Sequence, residues 1–127
     1  MKSFEDLEVW QRSCSLVVQI CRELKNWNNF ALRDQLMRAS ISLPSNIAEG
    51  AERFSRKEFI QFLGYAKGSA GEMRTQIAIA NQLGYIEENI TQIWMHELKE
   101  IAAMIFGLAR SVQKNRFIDS QLFSAIA

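Results

Sequence analysis

Residues 55–84 read SRKEFIQFLGYAKGSAGEMRTQIAIANQLG, and the reading of this stretch decides the fold. Ser55 followed three positions later by Glu58 matches a capping box, in which the serine oxygen accepts a free backbone N–H of the first turn and the glutamate reaches back. Phe59, Phe62/Leu63, Ala66, Ala70, Met73, Ile77 and Ala80 then recur at steps of three and four, which is one face of a helix. Gly84 is placed to end it, because glycine adopts the left-handed capping conformation without steric cost. The pattern predicts a helix from Ser55 to about Gln82, roughly 40 Å long.

The same period continues outward in both directions. After Gly84, a helix is predicted from about Glu88 to Lys114, with Ile90, Trp94, Leu98, Ile101, Ile105, Leu108 and Val112 facing inward. Before Ser55, one runs from about Leu32 to Glu49, with Leu36, Ala39, Leu43 and Ile47 inward and Gly50 as a C-terminal stop. Pro44 falls inside it, where proline removes a backbone hydrogen bond and costs about 3 kcal/mol. A kinked helix is the reading preferred over two short helices meeting at Leu43, with Ser40 and Ser42 near the freed backbone groups. The first helix is predicted to start at Ser3, with Asp6 completing an acidic capping box. Its main seam is Leu7, Trp10, Cys14, Val17, Cys21 and Leu24, and Val9, Leu16, Ile20 and Trp27 form a second apolar row. Asn26-Trp27-Asn28-Asn29 ends it, since asparagine favours turns and caps.

No run alternates apolar and polar residues over the length of a strand. The expectation is therefore an all-α, antiparallel up-down-up-down four-helix bundle over residues 1–115, with a kinked second helix. A short apolar C-terminal tail follows at 116–127, containing Phe117, Ile118, Leu122, Phe123 and Ile126.

Composition bounds the function. A chain of 127 residues fits one domain, and 48% hydrophobic residues exclude a disordered or collagen-like chain. A net charge of +1 excludes attachment to nucleic acid by bulk charge alone. Cys14 and Cys21 share one helix face but lie about 10 Å apart along the axis, too far for a disulfide. They read as small apolar residues in a reducing compartment. Neither a signal peptide nor a run of roughly 20 apolar residues is visible, so a cytoplasmic protein with no membrane role is expected.

Two features exceed what one bundle needs. The first is apolar: the second row of helix one and the tail. The second lies on helix three, where Gly64, Gly68, Gly71, Thr75 and Ala78 fall within about 40° of one line, roughly 150° from the core stripe. Each glycine inside a helix costs about 1 kcal/mol relative to alanine. Close approach of another helix or of a phosphate backbone would explain three of them, and assembly of several copies explains both features.

Charge is also segregated. Residues 53–74 carry Arg53, Arg56, Lys57, Lys67 and Arg74 against Glu58 and Glu72, a local net of +3. Arg56, Lys67 and Arg74 align beside the glycine line, and a ring of copies would repeat that row into a surface able to hold phosphates. Residues 79–100 have four glutamates against Lys99.

The stretch Gln35-Leu36-Met37-Arg38-Ala39-Ser40-Ile41-Ser42-Leu43-Pro44-Ser45-Asn46-Ile47-Ala48-Glu49-Gly50, with Arg53 soon after, resembles a known family. So does Phe59-Ile60-Gln61-Phe62-Leu63-Gly64-Tyr65-Ala66-Lys67-Gly68-Ser69-Ala70-Gly71-Glu72. With Phe4, Leu7, Val9, Trp10, Gln11 and Leu83-Gly84-Tyr85-Ile86, they are similar to the four-helix-bundle proteins of 23S rRNA intervening sequences, over about residues 4–114. The resemblance implies an antiparallel bundle assembled as a homopentameric ring. It also implies similarity to the accessory variability proteins of diversity-generating retroelements, basic pentamers that bind nucleic acid and a reverse transcriptase. The near-neutral charge of this chain departs from that basic branch. Within the motifs, Asn46, Glu49 and Glu72 on close-packing helices need partners such as Ser42, Ser69, Arg38 or Arg53 if buried. A polar network fixing helix register is the preferred role, and contact with a partner is the alternative.

Enzyme chemistry finds no support. Di-iron bundles require Glu-x-x-His on two helices, whereas the single histidine, His96, has Ile93 three positions before it. His96 and Glu100 alone make a poor metal site. An Arg-and-His helical ribonuclease is excluded because Arg74 is the nearest preceding arginine. Gly64, Gly68 and Gly71 lie inside a helix, with no Gly-Lys-Ser/Thr after them, so no phosphate loop forms. No elbow motif surrounds any serine. The expectation is a non-enzymatic protein without metal or cofactor. Three functions stay open: a nucleic-acid-binding oligomer for structured or ribosomal RNA, an adaptor for a partner such as a reverse transcriptase, and a self-assembling ring alone.

Overall fold

A computed structural model describes residues 3–114, and the expected tail at 116–127 lies outside the described residues. Four α-helices and no strand occur among the described residues: α1 Glu8–Leu24, α2 Phe30–Ala51, α3 Arg56–Gln82 and α4 Glu88–Lys114. They surround one continuous apolar core. Ile20 and Leu24 enter it from α1, Leu36, Leu43 and Ile47 from α2, Phe59, Leu63, Met73 and Ile77 from α3, and Leu98, Ile101 and Ile105 from α4. Full burial of each such side chain contributes about 1.5–3 kcal/mol.

The start of α3 keeps one half of the expected capping box, the serine cap, while the Glu58 carboxylate accepts from the Ser55 hydroxyl and not from its backbone N–H. Ser55 is extended, its hydroxyl oxygen accepts the Glu58 N–H at 3.1 Å, and the Ser55 Oγ to Glu58 Oε1 distance is 3.0 Å. At the other end, Gly84 has φ +84°; its N–H donates to Asn81 O at 3.0 Å and the Tyr85 N–H donates to Ala80 O at 2.9 Å. These two bonds are a Schellman motif, which satisfies carbonyls the helix end would leave open.

Three local readings are corrected. The Ser3–Asp6 capping box forms, but on a single 3₁₀ turn at Phe4–Asp6, because extended Leu7 separates that turn from α1. Phe4 then packs edge-on against Trp10 at 5.3 Å, and Gln11 Nε2 donates to Glu5 O at 2.8 Å. The core face of α1 is the second row, with Val9, Leu16, Ile20 and Trp27 buried beside Ser13 and Leu24. Of the expected seam, Leu24 is buried, whereas Leu7, Trp10, Cys14, Val17 and Cys21 are half-buried along its flank. Gly50 does not stop α2, which runs on to Ala51. It is a close-packing residue: a Cβ there would lie 2.8 Å from Phe62 Cβ and 3.2 Å from the Phe59 carbonyl oxygen.

α2 is one helix through Pro44. The carbonyl left without its N–H donor is that of Ser40, four residues earlier. Its neighbours receive side-chain donors instead: Ser42 Oγ donates to Ala39 O at 3.0 Å, Ser45 Oγ to Ile41 O at 2.8 Å, and Asn46 Nδ2 to Ser42 O at 2.9 Å. The buried Ser40 hydroxyl has no partner among the described residues. Asn29 caps the start of α2 by accepting the Leu32 N–H at 3.1 Å. Tyr85 joins the α3–α4 turn to the α1–α2 turn, donating its hydroxyl to Asn28 Oδ1 at 2.8 Å with its ring 5.1 Å from that of Trp27.

Candidate nucleic-acid interface

α3 sits between α2 and α4, and its flanks differ in chemistry. On the α2 side, Ser42 Oγ and Ser69 Oγ share a hydrogen bond at 2.5 Å, and Ser69 Oγ also donates to Tyr65 O at 3.2 Å. Asn46 is half-buried and bonds within its own helix to Ser42 O. Glu49 is exposed and pairs with Arg53 one turn on, whereas Arg38 and Glu72 are exposed apart from this group. The structure thus brings Ser42, Ser69 and Asn46 together, and Glu49 with Arg53.

The five cations of residues 53–74 also separate. Arg53 Nη2 lies 2.7 Å from Glu49 Oε1, its Nη1 lies 3.8 Å from Glu58 Oε2, and its guanidinium sits 4.7 Å from the Phe62 ring centroid. Two carboxylates balance its charge at the α2–α3 corner. Arg56 Nη1 donates to Gln113 O at 3.3 Å, which ties the first turn of α3 to the last turn of α4. Lys57 is exposed in that same first turn. The positive end of the helix dipole lies at both cations. Lys67 is exposed and its Nζ lies 5.3 Å from the Phe106 ring centroid on α4. Arg74 is half-buried one turn beyond Gly71.

Among the described residues the glycine line is only lightly covered, with Gly64 at the edge of the α3–α4 groove. Gly64, Gly68 and Thr75 are exposed, Gly71 and Ala78 half-buried. A Cβ added at Gly64, Gly68 or Gly71 would meet nothing within 4 Å. Among the described residues no contact requires these three glycines, in contrast to Gly50.

Other residues in this region escaped sequence reasoning. Phe106 is 51% exposed on α4, and Arg110 lies with its Cζ 5.7 Å from the Phe106 ring. Their signal was present as an aromatic and a cation one turn apart, in a run from 101 to 114 with no Asp or Glu. A groove of about 260 Å³ runs between Ile60, Gly64 and Lys67 on α3 and Phe106, Arg110 and Gln113 on α4.

On the opposite flank of α4, Arg12 of α1 reaches across to Glu97 and Glu100. Its Nε donates to Glu97 Oε2 at 3.0 Å, and its Nη2 contacts Glu97 Oε1 and Glu100 Oε1. Hydrogen bonding to the two carboxylates raises the Arg12 pKa further above its ordinary value. The Arg12 hydrogen bond is also the main cause that lowers the pKa of Glu100. His96 is exposed, with Nε2 2.7 Å from Glu100 Oε2. Burial raises the pKa of both cysteine thiols, and both are free. Among the described residues, no cluster of three metal-ligating side chains occurs and no helix is long and apolar enough to cross a membrane.

A family model described as 23S rRNA-intervening sequence protein matches residues 5–107. Among solved structures, the chain is similar to a protein with unknown function from the S23 ribosomal protein family of Bacteroides thetaiotaomicron VPI-5482. The two share a TM-score of 0.75 and 24% identity, over 80% of this chain and 97% of that one. This likeness concerns the fold. No curated protein matches.

Proposed function

Because the chain belongs to the 23S rRNA-intervening sequence protein family, we propose that it is a non-enzymatic, homo-oligomeric bundle that binds structured or ribosomal RNA. The observation that carries this reading is the row Arg56, Lys67 and Arg74 on α3, beside glycines at which a Cβ would meet nothing. Bare backbone beside aligned cations suits the close approach of a phosphate chain or of another subunit. Up-down-up-down connectivity is supported by the contact between Arg56 at the start of α3 and Gln113 at the end of α4. A ring of five is the number the family resemblance implies, and symmetry would turn a row of three cations into a continuous basic band.

Fluorescence anisotropy with a labelled 23S rRNA fragment, read over a series of salt concentrations, tests it. Binding should weaken steeply with salt, because each neutralised phosphate releases a counterion. The combined Arg56→Gln, Lys67→Gln and Arg74→Gln variant should lower the log–log salt slope by about 2–3 per subunit engaged. Its molar mass in light scattering should equal that of the parent. Salt-independent binding, or a triple variant that binds as the parent does, would overturn the reading.

A second reading, a protein adaptor for a partner such as a reverse transcriptase, is favoured by Phe54, which is 94% exposed at the α2–α3 turn. Affinity capture from native cells should then recover a stoichiometric partner lost in Phe54→Ser. Recovery of the chain alone counts against it.

A further inference from the structure

We propose that the α3–α4 groove around Phe106 is a stacking subsite for an unpaired nucleobase, with Lys67 and Arg110 holding the phosphates on either side. The inference rests on the nucleic-acid reading above and assigns it a strand type.

Two independent observations carry it. The first is shape. Phe106 presents half of its surface to solvent at 51% exposure, and Gly64 on the facing helix leaves the space across the groove open. The groove, at about 260 Å³, is smaller than the roughly 300–1,000 Å³ of small-molecule pockets. It has room for a planar ring rather than for a whole folded ligand.

The second observation is charge. Residues 59–71 and 101–114, which supply both walls, carry Lys67, Arg110 and Lys114 and no carboxylate. The four glutamates at 87, 88, 97 and 100 all fall earlier in the chain than the α4 wall. An apolar floor whose charged lining residues, among those described, are Lys67 and Arg110 complements a ligand that is flat and apolar at its centre and anionic at its edges. An unpaired nucleotide in a strand has that form, whereas a duplex hides its base faces. Lys67 Nζ and Arg110 Cζ stand 5.3 and 5.7 Å from the ring on flexible stems. Swinging outward to phosphates bares the ring for a base.

The test uses the full chain and three labelled probes: a short oligouridylate, an abasic ribose-phosphate strand of equal length, and an RNA duplex. Phe106→Ala is expected to weaken oligouridylate binding about tenfold, the scale of losing one stacked base, and to leave the abasic strand unaffected. Phe106→Leu, which keeps the apolar bulk, should behave like the alanine variant. Combined Lys67→Gln and Arg110→Gln should weaken both single strands and flatten their salt dependence. A parent that binds the abasic strand or the duplex as tightly as oligouridylate leaves the electrostatic reading standing and overturns the stacking subsite. Phe106→Ala with unchanged oligouridylate binding overturns it too, and an accompanying change in molar mass would assign the groove to a second copy. A parent that binds the 23S rRNA fragment but none of these probes overturns the stacking subsite alone, and one that binds neither overturns both readings.

Discussion

Two glycines on neighbouring helices show opposite physics. Gly50 fills a space where a methyl group would meet Phe62 Cβ at 2.8 Å and the Phe59 backbone. Gly50→Ala is therefore expected to overpack the α2–α3 contact and destabilise by about 1–3 kcal/mol, read from urea unfolding. Gly64→Ala adds a methyl that meets nothing, so propensity governs and the bundle should gain about 0.5–1 kcal/mol. Position alone did not separate these residues in the sequence: Gly50 looked like a cap because it follows an apolar period and precedes a turn. The steric demand that fixes it comes from Phe59 and Phe62, on a helix that begins after an intervening turn. Arg12 was equally illegible, since its partners Glu97 and Glu100 lie 85 and 88 positions away. It makes a pH dependence. Glu100 is held below its ordinary pKa, chiefly by the Arg12 hydrogen bond. A carboxylate lowered by folding stabilises the fold above its unfolded pKa, and that contribution vanishes as pH falls through the folded value. In urea titrations the parent should lose midpoint on acidification below the ordinary glutamate range more steeply than Arg12→Gln, and parallel acid limbs would refute the link.

α3 was legible almost to the residue because its two ends are written in local chemistry. Ser55 and Glu58 sit within one turn of each other, and Gly84 supplies a left-handed φ within one residue of the last helical turn. Ser55→Ala should cost about 1 kcal/mol through the lost cap. Gly84→Ala should cost about as much, because an L side chain resists φ +84°. Thermal unfolding of each variant checks both, and additivity is expected since the sites lie at opposite ends of the helix. α1 was harder for a physical reason. It carries two apolar rows about 100° apart, and periodicity scores each as a helix face without saying which meets the core. The longer row reads as the seam, yet the buried set is Val9, Leu16, Ile20 and Leu24 with Ser13 among them. Ser13 hides there because its hydroxyl donates to Val9 O at 2.7 Å and leaves no group unsatisfied. A serine in the core row disguises the row. The extended Leu7 that detaches the 3₁₀ turn from α1 accompanies the Phe4–Trp10 contact, which a capping box alone does not reveal.

At the scale of the molecule, what remains after the core is filled is a surface with more apolar and bare-backbone area than one bundle uses. Val18, Phe30, Ile41, Tyr65, Ile79, Leu83, Ile93 and Phe106 are each at least 46% exposed, and they are spread over all four helices and the α3–α4 turn. Singly, exposed apolar residues are ordinary; beside three helix-interior glycines that no contact among the described residues requires, they suit contact between copies. Heterologous contacts between copies close into rings when the rotation permits. Gly68 is the best probe of that arrangement, because it is exposed, lies midway along the glycine line and has an empty Cβ position. Gly68→Leu places its Cβ in open space at an exposed position, and its helix propensity should raise stability against urea by about 0.5–1 kcal/mol. If copies approach one another across this face, the same side chain holds them apart. Multi-angle light scattering at micromolar concentration should then give a multiple of the chain mass for the parent and a smaller mass for Gly68→Leu. Equal masses would place the contact on another face, and a monomeric parent would leave the three glycines to the phosphate backbone alone.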